Sequence, residues 1–401
     1  MPKLLQINVT ANWGSTGRIV EQIGIIAQMV GFESYVAYGR YANPSKLKAI
    51  KVGNCFSVYE HYLEHRLFDN DGLASRYATL QFIKKIDELR PDIIHLHNIH
   101  DHWLNYQILF EYLNTLDTPI VWTQHDCWSF TGGCGYFTVN DCDKWKTICD
   151  RCFLKRKIFP IVEQTKRHYN IKKNLFASIN NLTLVPVSHW LEKQIKQSFL
   201  NKKRAIPIYN GVDIEVFCPG ESNVKTQYGI GEKKLLVGVA TAWSSRKGLN
   251  DYVKLAAVLP EDVVIMLVGV KDKQKQNLPN NIIGIKRTQK IEELVSIYRG
   301  ADIVLNLSYE ETFGLTTVEG FACGTPGIVY NTTASPELIT PETGIVVEPG
   351  DLDGVSNAVK KIMANGKGSY SKACRERVLK YFNKEDRFAD YISLYEDLIK
   401  K

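Results

Sequence analysis

Two acidic residues in this 401-residue chain stand where a ligand could be held. Glu311 and Glu319 lie eight positions apart in the stretch YEETFGLTTVEGFACGTP, residues 309–326. An apolar run, 303–307, leads in. Leu315, Val318 and Ala322 recur at helical spacing, and Gly324-Thr325-Pro326 supplies a stop. The pattern predicts strand, tight loop, short helix. The first turn of such a helix presents backbone N–H groups and the positive end of its dipole, which suits a phosphate. Eight helical steps would separate the carboxylates by about 12 Å. That is too far to share a proton and wider than the roughly 5–9.5 Å of paired glycosidase acids. Spacing alone leaves two readings open. One is a clamp for the two hydroxyl-bearing ends of an extended ligand. The other is an ordinary strand–helix unit with one surface acid and one helix-facing acid.

Several further groups carry chemistry. Arg246-Lys247-Gly248 follows the first strand of the second half, where two cations suit a diphosphate. Arg287 closes a later strand of that half and is a third candidate cation. His125-Asp126 ends a strand of the first half, a place where parallel sheets expose their binding crevice. Gly14-Ser15-Thr16-Gly17 follows the first strand of all and reads as a substrate-lining turn or a plain tight turn. It lacks the glycine spacing of the dinucleotide fingerprint. His95, His97, His100 and His102 invite a metal reading. Strand alternation sends His95 and His97 to one face and leaves the other two in a loop, and no acid–histidine pattern completes a site. The pattern favours a buried or loop histidine cluster over metal.

Nine cysteines are present, and four of them cluster: Cys134, Cys142, Cys149 and Cys152. Four thiolates this close in a reducing compartment favour a tetrahedral structural zinc over disulfides. A redox role for the Cys149–Cys152 pair is disfavoured, since it does not open a helix directly after a strand. Cys127 is a spare, and Cys55, Cys218, Cys323 and Cys374 read as packing residues. Residues 151–173 hold eight Lys or Arg and one acid, Glu163, interleaved with Phe153, Leu154, Ile158, Phe159, Ile161 and Val162. That mixture fits either a surface docking on anionic lipid headgroups or a solvated basic face.

The elements that must position these residues are parallel strands. Strands are predicted at 4–9, 35–38, 91–97, 119–123, 182–187 and 205–209 in the first half. The second half continues with 235–241, 263–268, 282–286, 303–307, 327–330 and 345–348. Helical patterns lie between most of them, and 51–89 reads as irregular helix. Strand–helix alternation predicts an α/β protein with two parallel sheets. The expected division is an N-terminal Rossmann-like domain, 1–205, with a Cys-rich insertion at 131–153, and a C-terminal domain, 206–384. The two are expected to face each other across a deep cleft. The last helix, about 385–401, has one strong apolar face and is expected to pack back on the first domain.

The totals agree with an ordinary globular chain: 44% apolar, 23% charged and a net charge of +7. That charge suits an anionic substrate or membrane surface and does not demand nucleic acid. The N-terminus runs directly into a strand, without a signal-peptide pattern, and no apolar run approaches a membrane span. A cytoplasmic protein, at most peripheral at the inner face of the membrane, is expected.

Several ordered motifs together resemble a known family. ETFGLTTVEGFACGTP resembles the E-x7-E element of retaining glycosyltransferases of family 4, which have the GT-B fold. IYNGVDIEVF, SSRKGLNDYVKLA and YRGADIVLNLSYEETFG are similar to its other second-domain segments. QHDCWSFTGGC…CDKWKTICDRC is similar to a subgroup of bacterial polysaccharide-assembly transferases. The resemblance implies transfer of a sugar from a nucleotide-sugar to a glycan acceptor, such as one linked to polyprenyl diphosphate, without a required cofactor or donor-binding metal. It implies that Glu311 lies by the donor sugar and Glu319 contacts the ribose. Thr312, Phe313, Gly314 and Leu315 would supply backbone N–H groups, and Arg246 and Lys247 would neutralise the leaving diphosphate. His125 would approach the sugar, and Gly14, Ser15 and Gly17 would line the diphosphate or acceptor side. The usual Gly-Arg pair closing the first strand of the second domain is replaced by Ala240-Thr-Ala-Trp243, which leaves open which cation meets which phosphate. Two alternatives keep the fold but change the role: a nucleotide-sugar epimerase, and a non-catalytic nucleotide-sugar-binding partner in an assembly complex.

Overall fold

The computed structural model describes residues 1–158 and 162–400, excepting the side chain of Lys157. Phe159, Pro160 and Ile161 of the basic segment lie outside the described residues. The chain forms two compact units, 1–208 with 388–401, and 209–387.

The first unit runs β1 (Lys3–Ile7), α1 (Gly14–Met29), β2 (Glu33–Tyr38), β3 (Lys48–Lys51), α2 (Cys55–Phe68), α3 (Arg76–Leu89) and β4 (Ile93–Leu96). It continues through α4 (Tyr106–Leu113), β5 (Ile120–Gln124), α5 (Phe153–Ile158), α6 (Thr165–Ser178), β6 (Leu182–Pro186), α7 (His189–Gln197) and β7 (Arg204–Ala205). The seven strands are parallel, in the order β3-β2-β1-β4-β5-β6-β7. β4, β5 and β6 are buried along their whole length. They are apolar on both faces because helices cover both sides of a parallel sheet.

The second unit runs α8 (Val224–Gln227), β8 (Lys234–Val239), α9 (Leu249–Ala256), β9 (Val263–Val268), α10 (Asp272–Lys275), β10 (Ile282–Ile285) and α11 (Ile291–Gly300). Then come β11 (Ile303–Asn306), α12 (Leu315–Ala322), β12 (Gly327–Tyr330), β13 (Gly344–Val347), α13 (Leu352–Asn365), α14 (Gly368–Tyr381) and α15 (Lys384–Ile399). Its six parallel strands are ordered β10-β9-β8-β11-β12-β13. From Phe388 onward α15 belongs to the first unit. There Phe388, Tyr391, Ile392, Leu394 and Tyr395 join Leu4, Ile23, Ile93 and Val121 in one apolar core. Tyr395 also hydrogen-bonds His95 Nδ1 through its hydroxyl, at 2.5 Å.

Both sheets are doubly wound, and in each the strand order reverses once. The reversal falls between β1 and β4 in the first unit and between β8 and β11 in the second. Loops leaving the carboxyl ends of strands at such a point part to opposite faces of the sheet and open a crevice. Gly14–Gly17 and the His97–His102 run follow β1 and β4, and Arg246-Lys247 and Glu311 follow β8 and β11.

Two departures from the sequence reading have local causes. β3, where no strand was expected, ends at the first residue of the stretch 51–89 read as irregular helix. It is a short, exposed edge strand without apolar alternation, paired to β2 alone. The expected strand over 205–209 shrinks to the two residues of β7, although Ile206 and Ile208 still donate to Leu184 and Pro186.

Candidate active site

At the second reversal the loops after β8 and β11 are bonded to each other. After β8, Ser245–Lys247 form a single tight turn ending at Gly248. The Tyr309 amide donates to the Arg246 carbonyl at 2.9 Å. Arg246 Nη1 returns a bond to the Glu310 carbonyl at 3.0 Å. Lys247 Nζ donates to Glu311 Oε1 as an ion pair, with both side chains about one-fifth exposed or less. Gly248 makes this meeting possible. Its φ of +72° lies in the left-handed region, and a Cβ there would stand 2.1 Å from the Leu307 carbonyl. The sequence Arg-Lys-Gly thus lays its two cations across the end of β11, and only glycine fits the third position.

The acidic loop is fixed from its other side as well. The Glu311 amide donates to Thr333 Oγ1 at 2.8 Å, and the Glu311 carbonyl accepts from Ala334 at 3.1 Å. Phe313 is buried against Tyr209 and Phe382, so its side chain anchors the loop and only its backbone can meet a ligand. Gly314, at φ +100°, starts α12, and no side chain caps that helix. Leu315 and Thr316 in its first turn are half-buried. The helix end is open to an anion. Glu319, one turn further, accepts from the buried Tyr298 hydroxyl at 2.9 Å. Burial, and then the Glu319 charge, hold that phenol well above its ordinary pKa, so it remains a donor that orients the carboxylate. Arg287 is not part of this group. It is exposed beyond β10, the edge strand, and among the described residues it makes no hydrogen bond or ion pair to Lys247, Glu311 or Glu319.

The reversal in the first unit has a different composition. The β1 loop and the β4 loop are joined by the Val9 amide on the Asn98 carbonyl at 2.8 Å and the Asn98 amide on Asn8 Oδ1 at 3.2 Å. Gly14 opens α1 at φ +69° with no side-chain cap, and Ser15 is exposed beside it. Gly17 is packed so closely that a Cβ would lie 2.7 Å from Thr10 Oγ1. His125 follows β5, half-buried, with Nε2 3.2 Å from His97 Nδ1 and the rings stacked at 5.5 Å. Burial lowers the His125 pKa to about 4 and pushes that of His97 well below the ordinary range, so both rings are neutral near pH 7. Asp126 attracts its neighbour His125 electrostatically, but its hydrogen bonds go elsewhere. Its Oδ2 lies 3.0 Å from His100 Nε2, and its Oδ1 accepts from Trp128 at 2.8 Å. Burial opposes charge on both groups. Their mutual attraction outweighs it, holding His100 above and Asp126 below their ordinary pKa values. The working pair therefore spans 26 residues. The signal in the sequence was the histidine cluster itself, which alternation assigned in part to a loop.

The Cys-rich segment follows directly. Trp145 is buried against Phe130 and Phe137, with ring centroids 5.2 and 4.8 Å apart, which gives the segment a small core of its own. The buried Lys172 ties it down, donating to the Trp128 carbonyl at 2.7 Å from over the indole ring. All nine cysteines are free thiols. Cys134 and Cys152 share a hydrogen bond, which raises the first thiol and lowers the second, and Cys149 lies within electrostatic reach of Cys134, Cys142 and Cys152. Backbone N–H groups of Lys155 and Leu154 at the start of α5 further favour the Cys152 thiolate. Of the cysteines read as packing residues, Cys323 and Cys374 are buried, Cys218 is half-buried under Arg299, and Cys55 is exposed on α2.

Two family models match this chain: "Glycosyltransferase Family 4" over residues 27–216 and "Glycosyl transferases group 1" over residues 221–380. The chain belongs to the glycosyltransferases of the GT-B fold. It is 26% identical to N-acetyl-alpha-D-glucosaminyl L-malate synthase of Bacillus anthracis, over 56% of this chain and 64% of that one. Identity to WcaC, a protein named for colanic acid biosynthesis in Escherichia coli (strain K12), is 22% over 98% of this chain and all of that one. Among solved structures, sucrose-phosphate synthase from Thermosynechococcus elongatus superposes with a TM-score of 0.74 over the whole of both chains, at 18% identity.

Proposed function

We propose that this chain transfers a sugar, with retention of configuration, from a nucleotide-sugar to a lipid-linked glycan acceptor in surface polysaccharide synthesis. The observation that carries the reading is the meeting of Arg246-Lys247 with the Glu310–Glu311 loop at the second sheet reversal, beside the uncapped α12. Departure of a nucleoside diphosphate leaves charge on the leaving group and a cationic sugar ring. Lys247 and Arg246 stabilise the first. Such preorganised donors are each worth a few kcal/mol. In the free protein Lys247 is held by Glu311. A diphosphate oxygen replaces that carboxylate as its partner, which releases Glu311 to the sugar hydroxyls. Glu319, oriented by Tyr298, takes the ribose. The loop 312–315 offers backbone N–H groups to the phosphates between. His125, neutral and half-buried, serves as a hydrogen-bonding group for uncharged sugar or acceptor hydroxyls, with Gly14 to Gly17 lining the acceptor side. The colanic acid association of WcaC supports the polysaccharide setting.

Two accompanying features belong to the same reading. Cys134, Cys142, Cys149 and Cys152 are a donor set that suits a structural zinc, which would fix the segment after His125; no three of their sulfurs lie within 4.8 Å of one another, so binding the ion would draw the thiols together. The basic segment meets an anionic lipid surface. It is tied to the end of α2 by Lys155 on Asp69 and by Gln164 on the Phe68 carbonyl, where Leu67, Phe68, Phe153 and Ile158 are exposed together with Arg156. No helix among the described residues is long and apolar enough to cross a membrane.

The test is a panel of nucleotide-sugars, assayed first for thermal stabilisation and then for sugar transfer with and without a polyprenyl-diphosphate acceptor. Acceptor-dependent transfer is expected. Epimer formation without acceptor, or binding without turnover on any acceptor, contradicts the proposal.

A further inference from the structure

His102 stands apart from the other histidines of its segment. The loop after β4 carries it toward the end of α2, where His65 sits in the last turn and Asp71 follows the helix. One ligand atom from each of His65, Asp71 and His102 falls within 4.8 Å of the others. Among the described residues no other group of three His, Cys, Asp or Glu side chains converges this closely. The sequence hid the arrangement, since the three residues come from different segments and only His102 belongs to the visible histidine run.

The atoms at the centre are deprived of other partners. Asp71 Oδ1 and His102 Nε2 are shielded from solvent and make no hydrogen bond, and they face each other at 3.7 Å. A polar atom left so costs about 1–3 kcal/mol, so a buried pair of them calls for an occupant. Two ligands of a tetrahedral zinc stand about 3.3 Å apart, given bonds of about 2.0–2.1 Å. The observed separation is slightly open.

Neighbouring groups orient the site but do not fill it. His102 Nδ1 lies 3.5 Å from Asp101 Oδ1, which also takes Arg40 at 2.7 Å. A carboxylate behind an imidazole is the arrangement that turns the other ring nitrogen toward a metal. Asp69 lies 3.8 Å from His65 Nδ1, but its two oxygens are engaged by Lys155 and by the Gln164 amide. His61 stands edge-on to His102 at 5.6 Å with both nitrogens used, Nδ1 by Ser75 Oγ and Nε2 by the Gly72 amide, each at 2.8 Å. Asp71 would repel an anion, and one carboxylate with two imidazoles is a donor set for first-row transition metals.

We infer that His65, Asp71 and His102 bind a divalent transition-metal ion in the first unit, with its remaining positions taken by water. The site holds no sulfur, so it is not the thiol cluster, and none of its ligands belongs to the Arg246–Lys247 and Glu311 group. Its effect is positional. The ion ties α2 to the loop that carries His100, whose ring holds Asp126 beside His125.

Chelator-stripped protein dialysed against Co2+ tests this directly. With Cys149 and Cys152 both changed to Ser, one cobalt per chain is expected and its spectrum lacks the thiolate charge-transfer band; in wild type the same ion is expected beside any cobalt the thiols take. His102→Gln and Asp71→Asn should each weaken that cobalt at least tenfold. X-ray absorption of the cobalt-loaded double-Ser protein should count two imidazoles, a readout that does not depend on the folding of the ligand variants. Absence of thiolate-independent cobalt, unchanged affinity in both ligand variants, or fewer than two imidazoles overturns the inference.

Discussion

The two sheet reversals share a topology and differ in charge. In the second unit the crevice is ionic: Lys247 on Glu311, Arg246 on a carbonyl, and an uncapped helix end beside them. In the first unit it is a chain of imidazoles, with His97 and His125 kept neutral by burial and one charged pair, His100 with Asp126, to the side. One fold thus offers two kinds of site. Ionic groups in partial burial bind and stabilise phosphate charge. Neutral rings hydrogen-bond hydroxyls without favouring either sign of charge. The difference teaches that the strand order fixes where chemistry happens, while a few loop residues decide which kind.

The largest effects are expected in the ionic half. Lys247→Ala or Glu311→Gln should lower turnover about a hundredfold or more while circular dichroism and Tm stay near wild type. Near-normal rates would remove those residues from the site. Next in size is Gly248→Ala, which forces a Cβ against the Leu307 carbonyl at a left-handed φ. A loss on the order of 2 kcal/mol or more in urea unfolding is expected. An unchanged midpoint would mean that the two loops do not depend on this approach.

The neutral half predicts a pH effect of known sign. His125 has a folded pKa of about 4, against about 6.5 unfolded. Between those values the unfolded chain binds more protons, so stability falls as pH falls. From pH 6.5 to 5 the His125 share is about 2 kcal/mol, at roughly 1.4 kcal/mol per unit. His125→Gln should flatten the acid limb of the stability profile by that amount. An unaltered slope would show that the ring is already charged or exposed. The smallest effect belongs to Gly17→Ala, where the nearest atom is the Thr10 side chain and φ is unexceptional. About 1 kcal/mol is expected, less than for Gly248→Ala.

Much of the second crevice was legible because its signals are local. The apolar run into β11, the glycine at 314 and the helical repeat of Leu315, Val318 and Ala322 lie within twenty residues, and each acts on its immediate neighbours. The doubly wound α/β fold followed from the same strand–helix alternation in both halves. The first crevice was less legible because its partners are distant. Asp126 finds His100 across 26 residues, and His102 meets His65 and Asp71 through a loop conformation with φ +63° that no periodicity encodes. Arg287 shows the reverse case. Its position after a strand suggested a crevice cation; that strand is β10, at the edge of the sheet, and strand order is not a local property.

If the proposed function holds, the ionic crevice takes a diphosphate and the neutral one does not. Calorimetric titration with uridine, guanosine and adenosine diphosphates tests it in wild type, Lys247→Ala and His125→Gln. At least one of these should bind the wild type, Lys247→Ala should weaken it at least tenfold, and His125→Gln should leave its affinity within a factor of two or three. Equal affinity for wild type and Lys247→Ala, or a loss confined to His125→Gln, would contradict it.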